Sequence, residues 1–279
     1  MSKPKLHFAH ANSYPAGVYR QFFAPLSAHF DLQSLDMHAH NPRYPVTDCW
    51  PHLVDEYIDE LTRRYHGEPV ILVGHSLGGM LSLMVGHKRP DLVRCVVMLD
   101  APVVGGWRAF AWHLIKRLGR AYSVPPAKFS IRRRNVWPDV GAAYQHFAAK
   151  DLFAAWAPGV LADYMDSGLK PHAQGVQLRY TRENETAVYA TLPHHLPKLL
   201  RKGYPVPIGF IGGDNSWETS QSGHQHTKAL VGRHFRILPG GHLFPMENPV
   251  AAAEATRQMI NDLLEEQSGK KVLKSAAVA

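Results

Sequence analysis

The sequence predicts an α/β protein with a mostly parallel central sheet, flanking helices and a helical cap-like insertion. Three observations predict this fold class. Short apolar runs alternate with helix-length stretches, an order typical of parallel strands that helices cover on both faces. A tight glycine-rich turn joins one of these runs to a helix at Ser76. The alternation stops at residue 101 and resumes only near residue 204.

The N-terminal part is predicted to contain two strands and two helices. Residues 6–10 form the first strand, and the Asn, Ser, Pro and Gly residues after it mark a loop. Residues 18–29 have apolar positions at helical spacing, whereas residues 30–35 alternate as a strand does. A polar loop then leads to a second helix, whose apolar face contains Val54, Tyr57, Ile58 and Leu61.

The third strand and the turn after it carry the first chemical signal. Residues 69–73 are apolar and largely β-branched, and residues 80–89 predict a helix that a proline stops. Between them, residues 74–79 read GHSLGG, a Gly-x-Ser-x-Gly turn that raises a serine hydroxyl above a sheet. The helix N-terminus beside this serine favours developing negative charge. The sequence therefore predicts that Ser76 is a nucleophile.

The remaining elements set the domain boundaries. Further strands are predicted over residues 92–99, 206–211 and 233–238, and a final helix over residues 250–266. We assign residues 1–100 and 204–268 to the core and residues 101–203 to a helical insertion, and we expect a disordered tail over residues 269–279. The insertion is aromatic and basic. Residues 105–150 contain nine Lys/Arg and one acid, a surplus equal to the formal net charge of +8 of the whole chain.

A serine hydroxyl needs a base within hydrogen-bond reach before it attacks a carbonyl group. The chain has 18 histidines, so most of them must be surface or packing residues. His242 differs from the others because it directly follows the last predicted strand, in residues 239–245, PGGHLFP. The C-terminal ends of parallel strands share one edge of a sheet, so this loop can reach Ser76. The sequence therefore predicts His242 as the general base.

These motifs make the chain resemble the α/β-hydrolase superfamily over nearly its full length. The matching pieces are residues 74–79, the Gly-Gly-His at 240–242, Pro245 and the Glu-Asn-Pro at 247–249. The insertion after the fourth strand stands where that superfamily carries its cap. The resemblance implies the α/β-hydrolase fold with a helical cap, a six-stranded sheet without the usual leading hairpin, and a Ser-His-Asp triad.

The first loop also resembles a superfamily motif. Residues 10–15, His-Ala-Asn-Ser-Tyr-Pro, look like the superfamily's His-Gly-x-Pro loop, with Ser13 in place of its glycine. The resemblance implies that the backbone N–H groups of Tyr14 and Leu77 form the oxyanion hole.

Two aspartates are candidates for the acid of the triad. The usual superfamily position follows the strand at 206–211, but Ser216 occupies it and Asp214 lies two residues earlier. Asp100 ends the fourth strand on the correct edge of the sheet, where some members, including certain haloalkane dehalogenases, carry their acid. We take Asp100 as the first candidate and Asp214 as the alternative. Either residue could instead belong to a turn or a helix cap.

The expected function is that of a serine hydrolase that cleaves a carboxylic ester of a hydrophobic or acyl substrate through an acyl-enzyme. A thioesterase or a lactonase would use the same attack, so both remain alternatives. A hydrolase-fold ligand receptor with little turnover is a third alternative, from a different class of protein. A serine at position 76 argues against dehalogenase and epoxide hydrolase chemistry, for which the superfamily uses aspartate.

No cofactor and no metal ion is predicted. The pairs His38/His40 and His224/His226 have spacings that could ligate a metal, but no third ligand accompanies them. The expected partner is a small-molecule acyl ester rather than nucleic acid, because no nucleic-acid recognition fold accompanies the basic residues. The sequence makes no prediction about the oligomeric state.

The sequence gives three indications about the protein's surroundings. No run of 18 apolar residues occurs, so we expect no stable membrane insertion. Only Cys49 and Cys95 are available for disulfides, and no apolar signal segment follows Met1, so we expect a cytoplasmic protein. The basic run at 132–134 is typical of a solvated face, although it could attract an anionic substrate or a membrane surface.

Overall fold

A six-stranded parallel sheet forms the centre of the protein. The computed structural model describes residues 2–276, with side chains described through residue 268. Within these residues the strands are β1 (Lys5–Ala9), β2 (Asp31–Ser34), β3 (Val70–His75), β4 (Val93–Leu99), β5 (Val136–Trp137), β6 (Leu169–His172), β7 (Gly175–Leu178), β8 (Ile208–Gly213) and β9 (Phe235–Leu238).

Helices surround the sheet, and in the described chain seven of them lie between β4 and β8. The helices are α1 (Arg20–Ser27), α2 (Pro51–Tyr65), α3 (Leu77–Lys88), α4 (Gly106–Arg117), α5 (Ala127–Ser130), α6 (Val140–Ala148), α7 (Asp151–Ala154), α8 (Val160–Gly168), α9 (Arg182–Ala190), α10 (Leu196–Leu199), α11 (Trp217–Ser222), α12 (Gln225–Val231), α13 (Phe244–Glu247) and α14 (Pro249–Ala276). Short 3₁₀ turns occur at Ala16–Tyr19, Pro90–Leu92, Ala121–Ser123 and Leu200–Lys202. No helix in the described part of the chain combines the length and the apolar character needed to cross a membrane. The tail predicted over residues 269–279 falls outside the residues whose side chains are described and stays a prediction.

The central sheet has the strand order β2-β1-β3-β4-β8-β9, and each neighbouring pair is parallel. This confirms the predicted fold class. All six residues of β3 are buried, as expected for a central strand that is covered on both faces. Ser76 follows β3 and Asp100 follows β4, so parallel pairing brings both residues to the same edge of the sheet.

Alternate residues of β3 pack on opposite faces of the sheet. Ile71 and Val73 belong to the hydrophobic cluster that includes α1 and α14. Val70 and Leu72 belong to the cluster formed with α2 and α3. This follows from the two-residue repeat of a strand, and it explains why the segment reads as an uninterrupted apolar run.

The insertion, residues 101–203, differs from the helical prediction because it also contains a small antiparallel sheet in the order β5-β7-β6. Its strands have only two to four residues, too few to show a clear alternation in the sequence. Gly175 has a φ of +123°, and this conformation, which glycine tolerates, starts the return strand of the β6–β7 hairpin.

The insertion leaves the central sheet intact and shares its hydrophobic core. Strands β4 and β8 pair directly, for example Val96 with Ile208, although the insertion separates them in sequence. Trp137, Phe147 and Tyr164 of the insertion are buried in the same cluster as Phe8 of β1. The insertion is therefore packed as part of the main body.

The turn after β3 is tight because glycines allow its backbone segments to approach closely. A Cβ atom at Gly78 would lie 2.0 Å from the Ala9 carbonyl oxygen, and one at Gly74 would lie 2.2 Å from the Gly78 oxygen. Ser76 itself has a φ of +53°, a strained value for a residue with a side chain. The glycines therefore hold α3 against β1 and β3 and fix the direction of Ser76.

We expect Gly78→Ala to lower the free energy of unfolding by at least about 2 kcal/mol, because backbone would have to move away from the new methyl group. Urea denaturation measures this change. Gly141→Ala is the matched control, because a Cβ there meets only the Asp139 carboxylate, at 3.2 Å, and should change stability by less than about 1 kcal/mol. Equal effects of the two substitutions would contradict the close-packed turn.

Candidate active site

Ser76 and His242 lie within hydrogen-bond distance of each other. The Ser76 Oγ is 3.0 Å from the His242 Nε2, across 166 residues of sequence. Ser76 stands at the N-terminus of α3, and His242 lies in the loop between β9 and α13. The sheet brings them together because β3 and β9 run in the same direction.

His75, next to Ser76 in sequence, also forms a hydrogen bond to the backbone of His242. Its Nε2 is 2.8 Å from the His242 carbonyl oxygen and its Nδ1 is 2.7 Å from the Tyr19 hydroxyl. The carbonyl can only accept, so Nε2 must carry the proton and Tyr19 must donate to Nδ1. Tyr19 in turn accepts a hydrogen bond from the Ala11 N–H at 3.0 Å. Burial lowers the pKa of His75 to about 3, so the ring is neutral and holds this tautomer.

Asp100, and not Asp214, lies beside the His242 ring. The Asp100 Oδ2 is 3.4 Å from the His242 Nδ1, an ion-pair distance longer than an ordinary N–H···O hydrogen bond. The Asp100 side chain is fully buried, and its other oxygen accepts a hydrogen bond from the Thr219 hydroxyl. Asp214 instead accepts a hydrogen bond from the Gly240 N–H at 2.9 Å, as a turn residue does.

The structure adds Glu218, which sequence reasoning missed. Its Oε2 is 3.8 Å from the same His242 Nδ1, and its side chain is 45% exposed. The residue lies on α11, two positions after Ser216, the position where the superfamily resemblance places the acid. Its position close to Ser216 in sequence was the available signal. The sequence does not show which side chains of this six-residue helix point towards His242.

The surrounding charges set the protonation of His242. Burial lowers its pKa, but the adjacent Asp100 carboxylate and the negative charges of Glu218 and Glu247 raise it, and the net shift is upward from the ordinary value of 6.5. The site therefore stabilises the imidazolium that forms when His242 accepts a proton.

The backbone N–H groups of Leu77 and Tyr14, predicted to form an oxyanion hole, differ in their hydrogen bonding. Leu77 is the first residue of α3, so its N–H is among those that a helix leaves without an intrahelical partner. The Tyr14 N–H donates at 3.2 Å to the Ala11 carbonyl in a tight turn. Ser13 within this turn has a φ of +77°, the backbone conformation that the superfamily's glycine would adopt freely.

The first loop is fixed by the insertion and by histidines. The Asn12 side chain donates to the Glu185 carbonyl at 3.1 Å, and Arg133 forms an ion pair with the Glu185 carboxylate at 2.6 Å. Burial raises the pKa of Glu185, while the Arg133 charge and the Ser13 hydroxyl partly lower it. One arginine of the basic run is thus partly buried and supports the loop through Glu185.

The histidine pairs noted in the sequence do not converge on a common point with a third ligand in the described structure. His38 donates its backbone N–H to the His10 Nε2 at 2.7 Å, and the His40 Nδ1 contacts the His38 carbonyl. These bonds stabilise the loop that contains His10. His226 packs against Gly105, where a Cβ would lie 2.4 Å from its ring.

A different group of ligand-type side chains meets outside this site. Atoms of Asp48, Cys49 and His194 lie within 4.8 Å of one another. The Lys116 ammonium forms an ion pair with Asp48 and lies 3.6 Å from the Cys49 Sγ. The negative charge of this group is therefore balanced by the chain's own lysine.

The chain belongs to the alpha/beta hydrolase family, whose family model matches residues 8–255. A curated relative is the 2-(acetamidomethylene)succinate hydrolase of Mesorhizobium japonicum (strain LMG 29417 / CECT 9101 / MAFF 303099). It is 28% identical over 185 residues, which cover 58% of this chain and 65% of the relative. The match thus spans slightly less than two thirds of that protein.

Solved structures show the same fold at low sequence identity. The crystal structure of an E-2-(acetamidomethylene)succinate hydrolase has a TM-score of 0.73 and 20% identity, covering 94% of this chain and 92% of that one. The thioesterase domain from the curacin biosynthetic pathway has a TM-score of 0.68 and 18% identity, with 90% of each chain covered.

We expect Glu218→Gln to shift the acidic limb of the kcat/KM profile towards lower pH. A general base acts in its neutral form, so activity falls as pH drops through its pKa. Removing the Glu218 charge removes one cause of the raised pKa of His242, and the variant should keep its activity to lower pH. The profile is measured with a soluble chromogenic ester.

Glu183→Gln serves as the control for this titration, because Glu183 is exposed and does not contribute to the raised pKa of His242. An acidic limb that stays in place in Glu218→Gln would show that Glu218 does not act on the titrating group.

Proposed function

We propose that the protein is a serine hydrolase that cleaves the carboxylic ester of a hydrophobic or acyl substrate. The observation that carries this proposal is the line of contacts from Ser76 to the His242 Nε2 at 3.0 Å and from the His242 Nδ1 to Asp100 at 3.4 Å. A nucleophile, a base and an acid in this order form the arrangement that activates serine for acyl transfer.

In the proposed first step, the Ser76 Oγ attacks the acyl carbonyl carbon while the His242 Nε2 removes the hydroxyl proton. The Nδ1 proton of the same ring then faces Asp100, and the buried carboxylate stabilises the imidazolium. His242 next gives its proton to the leaving alkoxide, and the acyl group remains bonded to Ser76. A water molecule, deprotonated by His242, hydrolyses this acyl-enzyme.

The oxyanion that forms at the carbonyl requires backbone donors. We propose the Leu77 N–H as the first donor, because it begins α3 and gains from the positive end of the helix dipole. The Tyr14 N–H is the second, and it would exchange its 3.2 Å bond to Ala11 for one to the oxyanion. Removal of one such donor typically costs about 3 kcal/mol of transition-state stabilisation.

We further propose that the insertion acts as a cap that selects the substrate. Glu185 of the insertion contacts the loop that contains Ser13 and is held by Arg133, so the insertion is placed to influence what binds beside Ser76. The similarity to a thioesterase domain favours a thioester as the second candidate substrate. A lactone is a third substrate that fits the same attack. A panel of matched esters, thioesters and lactones that share one acyl group distinguishes these substrates.

We also propose a cytoplasmic location and a small-molecule substrate. Cys49 and Cys95 are both free thiols, which is typical of proteins in a reducing compartment.

A fluorophosphonate probe tests the proposed nucleophile directly. We expect stoichiometric labelling of the full chain and complete loss of labelling in Ser76→Ala, because the probe reacts only with an activated serine. Ser82→Ala is the matched control, since the Ser82 hydroxyl is buried and donates to the Gly78 carbonyl. Labelling without turnover of any ester, thioester or lactone would favour a ligand receptor over an enzyme.

We expect Asp100→Asn to reduce kcat by at least about 1000-fold, because the amide does not stabilise the imidazolium or select the reactive tautomer. Asp214→Asn should retain most of the activity, since Asp214 contacts the Gly240 backbone rather than His242. Steady-state kinetics on one chromogenic ester compares the two variants. A larger loss in Asp214→Asn would overturn the choice of Asp100.

A further inference from the structure

One segment of the insertion exposes large apolar side chains together with basic ones. Trp107 is 70% exposed and Phe110 is 67% exposed, values that are unusual for side chains of this size. The exposed large apolar residues of this segment, which we call the 107–131 face, are Trp107, Phe110, Leu114, Leu118, Tyr122, Phe129 and Ile131.

Helix α4 is held so that its apolar stripe points outward. On its inner side, the Trp112 Nε1 donates to the Leu192 carbonyl at 3.0 Å, and the Lys116 ammonium donates to the same oxygen at 2.8 Å. On the outer side, Trp107, Phe110 and Leu114 are spaced by three and four residues and therefore share one face. An ordinary surface helix buries its apolar stripe, whereas α4 presents one to the exterior.

The charges on the same segment of the sequence are all positive. Arg108 and Arg117 lie on α4 at either side of the stripe and are exposed. Beyond the helix, the exposed basic residues are Arg120, Lys128, Arg132 and Arg134. The sequence from residue 101 to residue 138 contains no Asp or Glu. Arg133 does not contribute to this surface charge, because it pairs with Glu185.

Together these features specify the chemistry of the occupant. It must be negatively charged to match the arginines, and it must offer hydrocarbon to cover Trp107, Phe110 and Leu114. A second copy of this face is disfavoured because its positive charges would repel those of the first copy. A nucleic acid is disfavoured because its phosphate backbone would not cover the apolar side chains. An apolar helix stripe flanked by cations is the pattern of helices that lie in the interface of a bilayer.

We propose that the 107–131 face docks on the surface of an anionic phospholipid bilayer, with the α4 stripe among the upper acyl chains and the flanking arginines at the headgroups. This peripheral contact requires no membrane-spanning segment. It also does not depend on the proposed catalytic residues, so the Ser76→Ala variant should bind vesicles as the unchanged chain does.

Cosedimentation with vesicles tests the docking. We expect the full chain to bind vesicles of phosphatidylcholine mixed with phosphatidylglycerol at least tenfold more tightly than vesicles of phosphatidylcholine alone, because each basic residue near an anionic surface contributes to binding. Raising the salt concentration should weaken binding through screening of the charges. Equal binding to both kinds of vesicle, or binding to neither, would overturn the proposal.

Two paired substitutions separate the charged and apolar contributions. Arg108→Gln/Arg117→Gln should weaken binding to the mixed vesicles about 20-fold, whereas Arg63→Gln/Lys88→Gln, which also removes two exposed helical cations, should have little effect. Phe110→Ser/Leu114→Ser should weaken binding at least tenfold, and Val250→Ser, at an exposed apolar residue of α14, should not. All seven substituted residues are exposed, so circular dichroism should stay unchanged.

Other outcomes assign the face differently. Loss of binding in the arginine variant with full binding in Phe110→Ser/Leu114→Ser would overturn insertion of the stripe and leave only charge attraction. Light scattering that shows a dimer, converted to a monomer by Phe110→Ser/Leu114→Ser, would overturn the proposal in favour of a second copy of this chain.

Discussion

A buried chain of hydrogen bonds through His75 holds the candidate site together. It begins at the Ala11 N–H in the first loop, passes through the Tyr19 hydroxyl and the His75 ring, and ends at the His242 carbonyl. It therefore connects the loop after β1, the turn after β3 and the loop after β9. These three segments are far apart in sequence, and each carries one proposed component of the chemistry. Because the His75 ring is neutral and buried, each hydrogen bond in this series keeps the same donor and the same acceptor.

The central sheet explains why those segments meet at all. Six strands running in one direction place every loop that follows a strand on the same edge, and glycines allow the turn at Ser76 to be tight. The insertion leaves this edge after β4, and the chain re-enters the sheet from the opposite edge with β8, which still pairs directly with β4. The insertion is tolerated because it separates β4 and β8 in sequence but leaves their pairing in the sheet unchanged.

Charges of a single sign are concentrated in two regions of the molecule. Negative groups surround His242, where Asp100, Glu218 and Glu247 raise its pKa and so support a base that gains a proton. The exposed charges of the 107–131 face are positive, and they accompany an apolar stripe of α4 with no partner in the described structure. Arg133 of the basic segment instead pairs with Glu185, whose carbonyl accepts a hydrogen bond from the Asn12 side chain of the first loop. The basic segment therefore contributes one arginine to the internal packing and leaves most of its other basic residues on the surface.

The sequence by itself determined the order of strands and helices, the turn at Ser76 and the family, because apolar periodicity and a glycine-rich motif are local properties. It also indicated His242, since the position of a residue after a parallel strand can be read from order alone. Only the tertiary structure placed Asp100 rather than Asp214 beside the His242 ring, added Glu218 next to it, and revealed the short sheet within the insertion. Those outcomes depend on side-chain direction, on strands too short to show a period, and on contacts between residues more than 100 positions apart, none of which a local pattern encodes.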